Sequence, residues 1–107
     1  MSFRPPSDSL TRRGGVTINA IEAAVAAEKA ASLGHAGHRL ERALAALRAT
    51  KSERSREELV DEAAELAWGF LIQRELCGLR DREQVIRDFA IPPEVIARIG
   101  ATRRQTG

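Results

Sequence analysis

Between Ser55 and Gly78 the chain sets apolar side chains in two adjacent rows at helical spacing, Leu59, Ala63, Leu66, Phe70 and Gln73 in one and Val60, Ala64, Ala67 and Leu71 in the next. Trp68 and Ile72 flank them. A face that broad needs cover from more than one neighbour, so this helix is expected at the centre of whatever forms. Its ends are marked. Ser55 with Glu58 three residues on is the pattern of a reciprocal cap, in which each side chain accepts from the other's backbone N–H, and Gly78 suits the left-handed residue that closes a helix.

The flanking sequence is helical too. Asn19 with Glu22 predicts a second capping box, and Ala20, Ala23, Ala24, Ala26, Ala27, Ala30 and Ala31 propagate a helix whose face carries Ile18, Ile21, Val25 and Leu33. Gly34 and Gly37 interrupt it, and two readings stand: a break at Gly34, or one helix over about 19–48. The spacing of Leu33, Ala36, Leu40, Leu44 and Leu47 keeps one face across the glycines and favours continuity, since a helical glycine costs only about 1 kcal/mol. Residues 49–56 are polar and read as a connection. Asp81 with Gln84 predicts a third cap, opening a short helix over 82–89 with Val85, Ile86 and Phe89 inward. Pro92 and Pro93 end it and start a last short helix over 93–99, closed by Gly100. The expectation is an all-α protein: a small bundle made of a long helical hairpin, 19–49 and 56–77, plus two short C-terminal helices. It divides as a disordered arm over 1–15, a helical domain over 16–100 and a basic disordered tail over 101–107.

Composition bears on how such a unit is held together. Hydrophobic residues are 43% of the 107, but much of that is alanine, and the aromatics are Phe3, Trp68, Phe70 and Phe89. A core built from these is thin, and small helical units with that shortage gain stability from a partner. Cover from the 56–77 helix alone leaves apolar surface on the first helix. The expected self-association surface is therefore Leu33, Leu40, Leu44 and Leu47, with the alanine face at Ala20, Ala23, Ala24, Ala27 and Ala31 allowing close approach, in a homodimer; the alternative is that the short C-terminal helices fold back and cover the stripe within one chain.

Other classes are disfavoured. Cys77 is the single cysteine, so no intramolecular disulfide forms and a cytoplasmic setting is expected. The N-terminus has no apolar run behind a basic start, and Phe70, Leu71 and Ile72 are closed off by Gln73, Arg74 and Glu75, so neither leader nor membrane span is expected. Net charge is +2, with the two ends together carrying +4 and residues 14–100 carrying −2. A mixed-sign body argues against nucleic acid as the partner. Fifteen arginines against two lysines, with abundant alanine, fit the codon habit of a GC-rich bacterial genome.

Three stretches could carry chemistry. Cys77 lies among Arg74, Glu75, Arg80 and Asp81, which would lower its pKa and accept its proton in a thiolate enzyme; no histidine is near it in sequence, and a small apolar core role is the simpler reading. His35, His38 and Glu41 share a helical face but lack a fourth ligand, so no metal and no other cofactor is expected. The helix pair over 82–99 has a helix-turn-helix outline, and Arg98, Arg103 and Arg104 are its candidate nucleic-acid contacts, although one arginine on the would-be reading helix is a poor reader. No nucleophile–base pair and no small-molecule ligand is inferred, so a non-enzyme is expected.

The strings AAEKAASLGHAGH, ALAALR, WGFLIQRELCGLRD and IPPEVIARIG, taken together, resemble a family of short bacterial proteins of unknown function. The resemblance covers residues 18–100 and is most distinctive from Trp68 to Asp81. It implies a bacterial single-domain protein and brings no activity and no site residue with it.

Overall fold

The structure, a computed structural model, describes residues 17–49 and 51–106. Among them are four helices and no strand: α1 (Ile18–Arg48), α2 (Arg56–Leu76), α3 (Arg82–Asp88) and α4 (Pro93–Thr106). The all-α expectation holds. The arm expected over 1–15 lies outside the described residues.

α1 passes Gly34 and Gly37 without a break. It begins one residue earlier than expected, with Thr17 as its cap: the Ala20 N–H donates to Thr17 Oγ1 at 3.1 Å. Asn19 is inside the helix and does not cap it. α2 carries the anticipated box, with Glu58 N–H donating to Ser55 Oγ at 3.1 Å and Ser55 N–H donating to Glu58 Oε1 at 3.5 Å. At its other end Gly78 has φ +86°, while Gly78 N–H donates to the Glu75 carbonyl and Leu79 N–H to the Arg74 carbonyl, each at 2.9 Å. These are the paired bonds of a Schellman closure.

α3 ends in the same way on a residue with a Cβ. Ala90 takes φ +52°, with Ala90 N–H donating to the Arg87 carbonyl at 3.1 Å and Ile91 N–H to the Ile86 carbonyl at 3.0 Å. The expected cap at its start is absent. Asp81 makes no side-chain bond to the first turn, because its carboxylate is taken by Arg74. α4 differs most from expectation: Gly100 does not end it, and the helix continues to Thr106 through the stretch read as tail. The glycine's cost of about 1 kcal/mol falls on one position, while Ala101, Arg103, Arg104 and Gln105 beyond it are good helix formers.

The chain divides into two compact units between Ser32 and Leu33, within α1. Among the described residues of the second unit every buried hydrophobic residue lies between Ala36 and Val95: Ala36, Leu40, Ala43, Leu44 and Leu47 of α1, most of both predicted rows of α2, Val85 of α3, Ile91, and Val95 of α4. In α2 the rows are buried as Leu59, Ala63 and Phe70 and as Val60, Ala64, Ala67 and Leu71, with Leu66 only partly buried. Ala63 and Ala67 have no exposed surface, and small residues here permit close backbone approach; the closest neighbour of α2 is α4 rather than the hairpin partner α1. Arg56 of α2 pairs with Glu94 of α4, and Asp61 with Arg98, so the pairings climb in step and the two helices run in the same direction.

Arginines bind the helix ends together. Arg56 Nη1 donates to the Leu47 carbonyl at 2.8 Å, covering an orphan carbonyl at the end of α1, and Arg48 Nη2 donates to the carbonyls of Phe89 and Ala90 at 3.1 and 3.3 Å. α1 packs closely at Gly37. A Cβ there would stand 3.1 Å from Phe70 Cε1, and the Phe70 ring in turn packs against Phe89 at 5.1 Å between centroids.

Candidate functional site

The four leucines expected at a self-association surface are not surface. Leu40, Leu44 and Leu47 are 0%, 1% and 5% exposed within one chain, and Leu33 packs partly buried against the same cluster. They share one buried cluster with residues of α2 and with Val85, Ile91 and Val95, which agrees with the alternative in which the short C-terminal helices fold back over the stripe. The apolar surface that does stand open is elsewhere. Residues 18–32 of α1 contain no buried side chain, and Ile18, Ile21 and Val25 are 51%, 47% and 48% exposed. Their spacing of three and then four residues puts them on one stripe. Glu22 and Lys29 lie beside that stripe, and the alanines around it leave the backbone accessible to a neighbour. The sequence carries this signal in Ile18, Ile21 and Val25, although the longer leucine run downstream appears stronger when burial is unknown.

Arg98 does not stand free for phosphate. It donates to Asp61 Oδ1 at 2.5 Å and lies 3.9 Å from Glu57, tying α4 to α2. The side chains of Arg103 and Arg104, the other two candidate contacts, lie outside the described residues.

Cys77 caps the end of α2 and is exposed, as are Leu76 and Leu79, so it is not the core residue expected. Two of the groups read as its activators, Arg74 and Asp81, are committed to each other. Arg74 Nε donates to Asp81 Oδ1 at 2.9 Å and Arg74 Nη2 to Asp81 Oδ2, a two-pronged pair, while the guanidinium lies 5.6 Å from the Phe70 ring centroid. The hydrogen bond from Arg74 holds the Asp81 carboxyl below the usual carboxylate range, and the same bond raises Arg74. This pair spans the Schellman turn and fixes the angle between α2 and α3.

His38 Nδ1 comes within 3.8 Å of Glu41 Oε1, both largely exposed. Among the described residues no three His, Cys, Asp or Glu side chains converge as a metal set. None of the described helices is long and apolar enough to cross a membrane.

What the geometry defines is a small all-α protein, tied at its helix ends by arginines, with one exposed apolar stripe and without an assembled polar constellation among the described residues. The chain belongs to a family of unknown function (DUF6665), which it matches over residues 1–106. No curated protein and no solved structure matches it.

Proposed function

We propose that this chain is a non-enzymatic interaction module of the bacterial cytoplasm that pairs with a second copy of itself through the 18–32 face of α1. The observation that carries the reading is the stripe of Ile18, Ile21 and Val25, half exposed in a segment with no buried side chain. An alanine-rich helix of about this length is marginal by itself in water, so it gains most from a packed neighbour. The charges beside the stripe are self-complementary. In an antiparallel two-fold pair centred between Val25 and Ala26, Glu22 of each copy faces Lys29 of the other, which makes the same ion pair twice across the interface. The lone exposed Cys77 and the excess of arginine over lysine support the compartment and the source.

Charge reversal tests the pairing. Glu22→Lys and Lys29→Glu are each expected to raise the dimer dissociation constant roughly threefold to tenfold in sedimentation equilibrium at low salt, and the double reversal to restore it. A double variant no tighter than the singles contradicts the antiparallel arrangement.

A further inference from the structure

A second feature of the molecule does not belong to that stripe. Between α2, α3 and α4 lies a cavity of about 410 Å³ with Trp68 and Leu71 on one wall and Ile86, Ile91, Ile96 and Ile99 on the others. Its volume is within the range of small-molecule sites. Among the described residues the walls are hydrocarbon and indole, and no carboxylate lines them. The charged member of the lining among the described residues is Arg82, at the first turn of α3. Arg82 is held loosely: its ion pair with Glu75 is 4.0 Å long, and both side chains are about half exposed, so redirecting the guanidinium gives up little. Ile96, on the open side, is 38% exposed, which leaves apolar surface in water when the cavity has no occupant.

We propose that this cavity binds a single-chain amphiphile with an anionic head, a medium-chain alkyl carboxylate, with its hydrocarbon against Trp68 and the isoleucines and its carboxylate on Arg82. A lining with four isoleucines offers little to orient a polar body, so the ligand's polarity belongs at one end. The guanidinium fork matches a carboxylate there. A flat polar metabolite would leave its hydrogen-bonding groups unpaired against these walls.

Trp68 is the chain's one tryptophan and lines the site, so its fluorescence reports occupancy directly. Titration of the full-length protein with decanoate, below the concentration at which decanoate self-associates, is expected to give a saturable blue shift. Arg82→Gln is expected to weaken decanoate about tenfold while leaving 1-decanol unchanged, and decyltrimethylammonium is expected to bind more weakly than decanoate to the wild type. Gly100 also lines the cavity, and a Cβ there meets nothing within 4 Å, so Gly100→Leu adds hydrocarbon at a lining position without a clash and favours the helix. That variant is expected to keep its helicity and lose the decanoate response. The proposal is overturned if the wild type shows no saturable shift, if Gly100→Leu responds as the wild type does, or if Arg82→Gln or the cationic probe matches decanoate on the wild type.

Discussion

Residues 17–32 and residues 33–106 belong to the same run of helix-forming sequence, and they use it in opposite ways. The first segment is alanine punctuated by Ile18, Ile21 and Val25 and buries none of them. The second spends almost every leucine, valine and alanine of its apolar faces on one cluster, from Ala36 to Val95. Helix propensity is high in both, so propensity is not what separates them. The difference is cover: the second segment has three other helix faces or turns to pack against, and the first, as a single chain, has solvent.

That contrast is sharpest in truncation. Leu40→Ala removes a side chain with no exposed surface and is expected to cost about 2–5 kcal/mol, whereas Ile21→Ala, measured by urea denaturation at high dilution, is expected to stay within about 0.5 kcal/mol of the wild type. Comparable costs at the two positions would show that the 17–32 segment has intrachain cover and would remove the distinction.

Glycine replacements sharpen it at the start of the packed unit. Gly34 and Gly37 are three apart on one helix, yet a Cβ at Gly34 meets nothing within 4 Å and one at Gly37 meets Phe70. Gly34→Ala is expected to stabilise by about 1 kcal/mol, from propensity alone. Gly37→Ala should lose about that much, because the Phe70 ring is buried against Phe89 and has little room to yield. Thermal melts followed by circular dichroism report both, and shifts of the same sign would contradict the packing at Gly37.

The two helix closures form a reciprocal pair of somewhat smaller size. Ala90 holds φ +52° with a Cβ and Gly78 holds φ +86° without one. Ala90→Gly is expected to stabilise by up to about 1 kcal/mol and Gly78→Ala to destabilise by about as much. A destabilising Ala90→Gly would mean that the closure of α3 differs from the one described.

The smallest effect is in acid. Asp81 has its pKa lowered in the folded state by Arg74, so its contribution is present above the ordinary aspartate pKa of about 3.9 and is lost as pH falls through the lower folded value. The melting-temperature gap between wild type and Asp81→Asn is therefore expected to persist at neutral pH and to close only below about pH 4. A gap that is constant down to strong acid would show that the carboxylate charge is not what Arg74 holds.

Local signals in the sequence were legible where their partners were local. Ser55 with Glu58, and Gly78 after Cys77, are decided within one turn and stand in the structure as expected. Asp81 fails the same test because Arg74, seven residues back, outcompetes the first turn of α3 for its carboxylate. Gly100 fails because one unfavourable residue does not stop a helix whose flanks favour it. The leucine stripe was misplaced for a non-local reason: it shares one buried cluster with Val85, Ile91 and Val95, tens of residues away, and no periodicity within α1 reports whether those residues return to it. The exposed stripe at Ile18, Ile21 and Val25 was legible as a face, but only burial distinguishes a face with a partner in the same chain from one without.

The most direct measurement is solution mass by light scattering across a dilution series, for the wild type, Leu44→Ala and Val25→Glu. Self-association through the 18–32 face predicts that the wild type passes from dimer to monomer on dilution. Leu44→Ala, though less stable, should still dimerise while folded, and Val25→Glu should be monomeric with its melting behaviour otherwise intact. A wild type that is monomeric at every concentration, or a Val25→Glu variant that dimerises as the wild type does, contradicts the account.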